Sequence, residues 1–157
     1  MRDFQRKAVY RWEETIVKTW PGLVRRLDHK ACRELVEQVW GDYAPVEKPP
    51  TLYFPSDGRL CAKATRAVLT IPPWAKTNLM VLHETAHSLL PDGTDHSPLF
   101  ASFFLVLGAR YAGVPLLAAA ELGFRQRPRR VHFVPVAQCP QPAAICVSGV
   151  LGRLRAR

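Results

Sequence analysis

Two histidines and a glutamate lie within five residues in the middle of the chain, His83-Glu84-Thr85-Ala86-His87. On an α-helix, residues four apart lie on the same face one turn apart, so the imidazoles of His83 and His87 can converge on one metal ion. Glu84 projects toward the same side and is close enough to accept a proton from water activated by that metal. The pattern is typical of zinc-dependent hydrolases in which the glutamate is the general base.

The residues on either side of this motif favour the helix that it needs. Residues 72–74 contain two prolines that would end a strand, and Thr77 or Asn78 can cap the start of a helix. A turn sequence at 91–93 then ends it, so we predict a helix over 77–90. The side chains expected to face the core are Leu82, Thr85, Ala86 and Leu89. This leaves the two histidines and the glutamate facing a cleft.

A catalytic zinc ion usually has three protein ligands and one open position, and the sequence after His87 offers several candidates for the third ligand. His96 is the first choice, because it follows a glycine-containing turn and could return toward the metal at the entry of the next helix. Asp92 or Asp95 could serve instead, and Glu121 is the one acidic residue after Asp95. Either aspartate could alternatively bind the far nitrogen of a ligand histidine and fix its tautomer.

Two patterns carry a resemblance to a known family: His83-Glu84-x-x-His87 followed by His96-Ser97-Pro98-Leu99-Phe100, and the opening Arg2-Asp3-x-Gln5-Arg6-x-x-Val9-Tyr10-x-Trp12-Glu13. The chain resembles a family of small metallohydrolases of actinobacteria and their phages, whose members are similar to SprT-like zincins. The resemblance covers roughly residues 2–137, and Ser97 stands where the family prefers glycine. It implies a metal-dependent hydrolase. The residues it implies are His83, His87 and His96 as ligands and Glu84 as general base.

Two amphipathic helices are predicted before the first strand. The first covers residues 3–19, and the second begins after Asp28, which can cap it, and ends near Trp40. The apolar positions at helical spacing are Phe4, Val9, Trp12, Ile16 and Trp20 in the first helix and Cys32, Leu35, Val36 and Val39 in the second. These stripes are expected to pack on the core that supports the metal helix.

The rest of the chain predicts a small sheet and further helices. We expect a strand at 51–55, one or two strands over 60–71, helices at 98–112 and up to about Leu122, and a last strand at 131–135. The order of N-terminal helices, small β-sheet, HExxH helix and following helix is that of a compact α+β, zincin-like (SprT-like) domain. Residues 67–71 enter the metal helix directly, so they could bind substrate by backbone pairing; an ordinary core strand is the alternative.

The composition is that of a folded globular chain that does not span a membrane. Of the 157 residues 48% are hydrophobic and four are Trp, which is enough apolar surface for one domain with a core. The longest apolar run, at 99–109, is too short to cross a bilayer, and Arg110 follows it. The first residues lack the apolar stretch of a secretory signal, so we expect a cytoplasmic protein.

Four cysteines are scattered through the chain without a C-x-x-C pair: Cys32, Cys61, Cys139 and Cys146. They therefore predict no second zinc site. In a reducing compartment they would be free thiols, and a disulfide between Cys139 and Cys146 is the alternative.

The net charge of +9 is concentrated at the C-terminal end, because residues 121–157 hold seven Arg and one Glu and so carry +6. The two clusters are Arg125, Arg127, Arg129 and Arg130, and Arg153, Arg155 and Arg157. Such clusters can contact nucleic-acid phosphates without reading sequence; a solvated basic surface with a loose tail is the alternative. We accordingly divide the chain into a zincin-like metallohydrolase domain at 1–137 and a basic tail containing Pro and Ala at 138–157.

These observations predict a zinc-dependent metallohydrolase, specifically a metallopeptidase that acts on a protein or peptide substrate with Glu84 as general base. The oxyanion needs a donor besides zinc, and the candidates by residue type are Tyr43, Tyr111 and His132. Two other functions stay open: a basic nucleic-acid- or protein-binding module with a structural or vestigial zinc site, and a zinc hydrolase of a small non-peptide substrate. Glu84 favours a hydrolase, because a structural site needs ligands but no general base.

Overall fold

The computed structural model describes residues 3–58 and 60–143, and across them the chain has the predicted α+β composition. Its elements are α1 (Arg6–Thr19), α2 (His29–Tyr43), β1 (Thr51–Tyr53), β2 (Lys63–Ala64), β3 (Val68–Thr70), α3 (Asn78–Leu89), α4 (Pro98–Ala112) and α5 (Leu116–Arg125). Short 3₁₀ turns lie at Pro21–Leu23, Pro73–Ala75 and Val136–Gln138. No helix in this part of the chain is long and apolar enough to cross a membrane.

Side-chain caps fix the starts of three helices, α2, α3 and α4. Asp28, Thr77 and Ser97 each accept a hydrogen bond from the backbone N–H three residues further on, at the starts of α2, α3 and α4. Each such cap stabilises a helix by about 1 kcal/mol. The caps at Asp28 and Thr77 confirm the predictions. Ser97, the departure from the resembled family, fixes the backbone directly after His96.

The sheet has the order β1-β3-β2, with β3 parallel to β1 and antiparallel to β2. Because β3 is hydrogen-bonded on both sides, residues 67–71 have no free edge, and the prediction that they pair with substrate is wrong. β2 lies at an edge of the sheet. Cys61 and Ala62, which precede it, line the same cleft as Glu84.

The predicted strand at 131–135 is also wrong. Its backbone bonds go to helices instead of a sheet: the Val131 N–H donates to the Gly123 carbonyl, and Val134 exchanges two hydrogen bonds with the Ser102 hydroxyl. The segment packs closely on α5, since a Cβ at Gly123 would lie 2.8 Å from the ring of Phe133. The apolar residues of this segment therefore pack on helices, which satisfy its backbone groups.

The core forms around α3, which packs against α4 on one side and α2 on another. Leu82 and Ala86 belong to the larger apolar cluster with α1, α4 and α5, and Val81 belongs to a smaller cluster with α2 and the sheet. Trp12 of α1 is fully buried and donates from Nε1 to the Ala119 carbonyl at 2.7 Å. The metal motif is therefore carried by the most enclosed helix, and the large aromatic side chain of Trp12 docks α1 against α4 and α5.

The ends of the chain depart from the sequence predictions in part. Phe4 was expected on the apolar face of the first helix, but that helix begins at Arg6 and Phe4 is 53% exposed. Packed structure continues to Cys139, which is buried in the larger cluster. Cys32, Cys61 and Cys139 are free thiols. Cys146 and the basic cluster at Arg153, Arg155 and Arg157 lie outside the described residues.

Candidate metal centre

Three histidines converge at the start of α4 and the middle of α3. One ligand nitrogen from each of His83, His87 and His96 lies within 4.8 Å of the others, which is close enough to bind a metal ion. The Nε2 atoms of His83 and His87 are 3.2 Å apart. Tetrahedral zinc with Zn–N bonds near 2.05 Å places its nitrogen ligands about 3.3 Å apart, so this separation fits such an ion.

The other third-ligand candidates do not join this group. Asp92 and Asp95 are exposed, and Glu121 pairs with Arg125 on the surface of α5. Among the described residues, the three histidines form the one cluster of three or more potential ligand side chains.

The ring of His96 supplies a second indication of a metal. Its Nδ1 lies 2.7 Å from Oδ2 of Asp3, while its buried Nε2 has no hydrogen-bond partner. A buried polar atom without a partner costs roughly 1–3 kcal/mol, so native structures rarely leave one without a purpose. A metal ion on Nε2 would remove that cost, and the donor set therefore fits the ion that the motif predicts.

Two carboxylates from the N-terminal region bind the far sides of the ligand rings. Glu13 Oε1 lies 2.5 Å from Nδ1 of His83, and Asp3 makes the corresponding contact with His96. A carboxylate that accepts from Nδ1–H fixes the tautomer and leaves Nε2 free to bind metal. The prediction that Asp92 or Asp95 fills this role is wrong.

One feature of the sequence could have identified Glu13 as a residue of this site. It lies four residues after Val9 and three before Ile16, within the apolar stripe of α1, and a carboxylate there needs a buried partner. Asp3 precedes the helix and carries no comparable signal.

The electrostatics of the cluster favour the neutral imidazole at His87 and His96 and oppose it at His83. Burial together with the neighbouring His83 and His96 lowers the pKa of His87 to about 2, so this ring stays neutral. Burial also lowers the pKa of His96, against the opposing hydrogen bond from Asp3. For His83 burial acts in the same direction, but the charge and hydrogen bond of Glu13 outweigh it and raise the pKa.

Glu84 is 5% exposed and lies beside His83 at the wall of a cleft of ≈ 540 Å³. Burial raises the pKa of its carboxyl to about 7; the charge of His83 opposes this rise and that of Glu13 adds to it. A carboxyl that titrates near neutrality can both accept and return a proton, which is the behaviour of a general acid–base group.

The cleft has walls of different character. Its polar lining residues are Arg6, Tyr10, Glu13, Glu14, Lys18, His83 and Glu84, and its apolar surface, which we call the apolar side, consists of Val17, Cys61, Ala62, Trp74 and Met80. Trp74 is half exposed and held by a hydrogen bond from its Nε1 to the Leu60 carbonyl. The site is thus an open groove with an acid–base group next to apolar surface.

Tyr10 is a cleft residue that the sequence analysis missed. Its ring packs edge-on against His96 at 4.9 Å and stacks on His83 at 5.8 Å, measured between centroids. Burial raises the pKa of its phenol, and the hydrogen bond and charge of Arg6 oppose that rise. Tyr10 lies three residues before Glu13, so one face of α1 delivers both side chains to the metal centre.

The three residues proposed as oxyanion donors lie elsewhere. Tyr111 donates to Asp42 at 2.5 Å, and Tyr43 packs edge-on against Phe103 in the core. His132 is exposed and packs near Phe4. None of the three lines the cleft beside Glu84.

No protein-family model, curated protein or solved structure matches this chain. Its function has to be argued from the geometry of the site.

Proposed function

We propose that this chain is a zinc-dependent metallohydrolase of zincin-like type, and specifically a metallopeptidase. The observation that carries the proposal is the position of Glu84, a buried carboxyl of raised pKa, beside His83 of the three convergent imidazoles and at the wall of an open cleft. A structural metal site has no use for such a group, because its ligands close the coordination sphere.

Zinc is the metal that the donor set favours. Three imidazole ligands suit Zn²⁺ better than Mg²⁺ or Ca²⁺, which prefer oxygen ligands. His83, His87 and His96 would hold the ion through Nε2, and the carboxylates of Glu13 and Asp3 would orient two of the rings. When bound, zinc would supply Lewis-acid polarisation of the scissile carbonyl and acidify water at its open position.

The residues of the chain would perform the proton transfers. Glu84 accepts the proton of the attacking water and returns it to the leaving amine, which its raised pKa allows near neutral pH. Tyr10 replaces the three earlier candidates as oxyanion donor, since its phenol lines the cleft that contains Glu84. The packing of Tyr10 on His83 and His96 holds the ring in place for this role.

A polypeptide substrate is supported by two features of the cleft. The apolar side formed by Val17, Trp74 and Met80 is suited to an apolar side chain next to the scissile bond. The segment before β2 borders the same cleft, and an edge strand can hold an extended peptide by backbone hydrogen bonds. A small non-peptide substrate is the second candidate, because a volume of ≈ 540 Å³ also falls in the range of small-molecule sites.

Metal content and casein cleavage of four proteins test the proposal: the wild type, Glu84→Gln, His96→Ala and Asp92→Ala. We expect about one zinc per chain in all but His96→Ala, and cleavage by the wild type and Asp92→Ala alone. Asp92→Ala is the matched control, because that residue is the rival third ligand. A wild type that binds no zinc after reconstitution would contradict the metal site. Zinc binding with no cleavage of casein or of short peptides would contradict the peptidase assignment and favour the small substrate.

A further inference from the structure

A second, larger cleft adjoins the metal centre. It has a volume of ≈ 770 Å³, and we call it the basic cleft because its walls include Arg6, Lys7 and Arg11 of α1 and Arg129 of the segment after α5. Arg6 lines both this cleft and the metal cleft. The two openings therefore meet at one side chain.

The basic cleft is strongly cationic. Within residues 3–58 and 60–143, none of its four cations lies within ion-pair distance of a carboxylate. The one acidic residue in its wall is Asp3, whose Oδ2 is already bound to His96. Arg11 also donates to the Arg127 carbonyl at 3.2 Å, which ties α1 to the opposite wall. Arg6 also hydrogen-bonds Tyr10, which leaves its charge in place. Cations without a carboxylate partner that line one cavity create a positive potential that attracts anions.

The basic cleft lies next to the metal centre, so a molecule bound in it would lie close to the proposed reaction. Asp3 lies in its wall and also contacts the ligand His96, so the cleft begins at the metal centre. A chain that crosses the groove at Glu84 and passes Arg6 enters the basic cleft without leaving the surface. The occupant is then covalently continuous with the bond that is cleaved, which favours a polypeptide over a separate nucleic acid.

We propose that the basic cleft binds a run of acidic side chains in the substrate, so that this chain acts on polypeptides with acidic residues on one side of the scissile bond. The inference rests on the proposed peptidase function. Arginine pairs with carboxylates through two parallel hydrogen bonds, and Lys7 adds a mobile point charge. The apolar side of the metal cleft and the basic cleft would then select an apolar residue and an acidic run on the two sides of Arg6.

Binding is tested first, without any requirement for cleavage. Fluorescence anisotropy with labelled oligoglutamate, oligoglutamine and oligothymidylate compares three chains, all carrying Glu84→Gln to keep the peptides intact. The first is the Glu84→Gln chain itself, which we call the parent. The second adds Lys7→Gln and Arg129→Gln to the parent, and the third adds Lys30→Gln and Lys48→Gln. The last is the matched control, because it removes the same charge at exposed lysines outside the basic cleft.

We expect oligoglutamate to bind the parent, and binding to weaken roughly tenfold with Lys7→Gln and Arg129→Gln but less than about twofold in the control. Equal weakening by both pairs of substitutions would show an effect of net charge alone and overturn the site. Tighter binding of oligothymidylate than of oligoglutamate would assign the cleft to nucleic acid instead. Absence of oligoglutamate binding would also overturn the proposal.

Cleavage separates this inference from the proposed function. In the Glu84-containing chain, peptides that differ only in Glu or Gln beyond the scissile bond should differ in KM, and Lys7→Gln with Arg129→Gln should abolish that difference. Cleavage with no preference for Glu would overturn the acidic-substrate inference and leave the peptidase standing. Oligoglutamate binding with no cleavage of any peptide would overturn the peptidase, and with it the substrate role of the cleft.

Discussion

The metal centre is built from two regions that differ in how their residues are brought together. α3 supplies His83, Glu84 and His87 within little more than one helical turn, in the most enclosed helix of the structure. The N-terminal segment, residues 3–13, supplies Asp3, Tyr10 and Glu13, which reach the site only because α1 docks against the core. The first region provides the candidate metal-binding atoms and the proposed general base. The second holds those atoms in the orientation that metal binding needs.

The positions of the ligand side chains and the orientation of their rings therefore depend on different parts of the chain. Local helix geometry places His83 and His87 on one face whatever the rest of the chain does. The tautomers of His83 and His96 depend on contacts across 70 and 93 residues. Metal affinity should therefore fall most when a ligand is removed and by a smaller, graded amount when its carboxylate partner is changed.

The largest effect on metal binding is expected for His87→Ala, which removes a ligand from α3. Metal affinity should fall by more than about 100-fold, because the outer carboxylates alone contribute roughly 10–100-fold and a direct ligand contributes more. Competition with a chromophoric chelator measures the affinity. His132→Ala is the control, an exposed histidine outside the cluster. Equal affinities for the two variants would show that the three imidazoles do not form the site.

Tyr10→Phe tests whether the N-terminal segment also takes part in the reaction. The ring contacts with His83 and His96 remain, so metal affinity should change less than about twofold, while kcat should fall roughly 100-fold through loss of the phenol donor. Steady-state cleavage and chelator competition are measured on the same samples. Tyr53→Phe, an exposed tyrosine of β1, is the control. An unchanged kcat would limit Tyr10 to packing on the ligand rings.

The sequence predicted most of what depends on local pattern. The α3 helix, its Thr77 cap, the Asp28 cap of α2 and the convergence of His96 with the other histidines are all confirmed. The helix and the two caps follow from spacing within one helix, and the convergence of His96 follows from the turn that links α3 to α4. The segment 131–135 shows the limit of such patterns, because its apolar residues pack on α4 and α5 and pair with no strand.

The sequence could not predict which carboxylates contact the ligand histidines from distant parts of the chain. Asp92 and Asp95 are near His96 in sequence but exposed, whereas Asp3 and Glu13 are remote in sequence and bound to the ligand rings. Proximity along the chain is a poor guide to these contacts, because the docking of α1 depends on burial of side chains such as Trp12. Glu13 within an apolar stripe was the one available signal.

Glu13→Gln should weaken metal binding by roughly 10–100-fold, because the amide keeps the size of the side chain but removes the charge that makes His83 a better ligand. Glu14→Gln is the matched control. That neighbouring residue is exposed and pairs only loosely with Lys18, at 3.9 Å. Chelator competition on both variants gives the comparison. If Glu14→Gln weakened the metal as much as Glu13→Gln, the loss would reflect the charge of α1 and not the contact with His83.

Asp3→Asn should have the smallest effect, a loss of metal affinity of about tenfold, at the low end of the range for such partners. The Asp3 side chain is 24% exposed against 13% for Glu13, so water screens its charge more, and it lies outside a helix where its position is held less firmly. Chelator competition on Asp3→Asn, Glu13→Gln and the double variant measures both the ranking and the coupling. The two carboxylates bind different rings of one metal centre. We therefore expect the fold-loss of metal affinity in the double variant to be smaller than the product of the fold-losses in the two single variants. An Asp3→Asn loss larger than that of Glu13→Gln would reverse the ranking and make the segment before α1, and not α1 itself, the main support of the site.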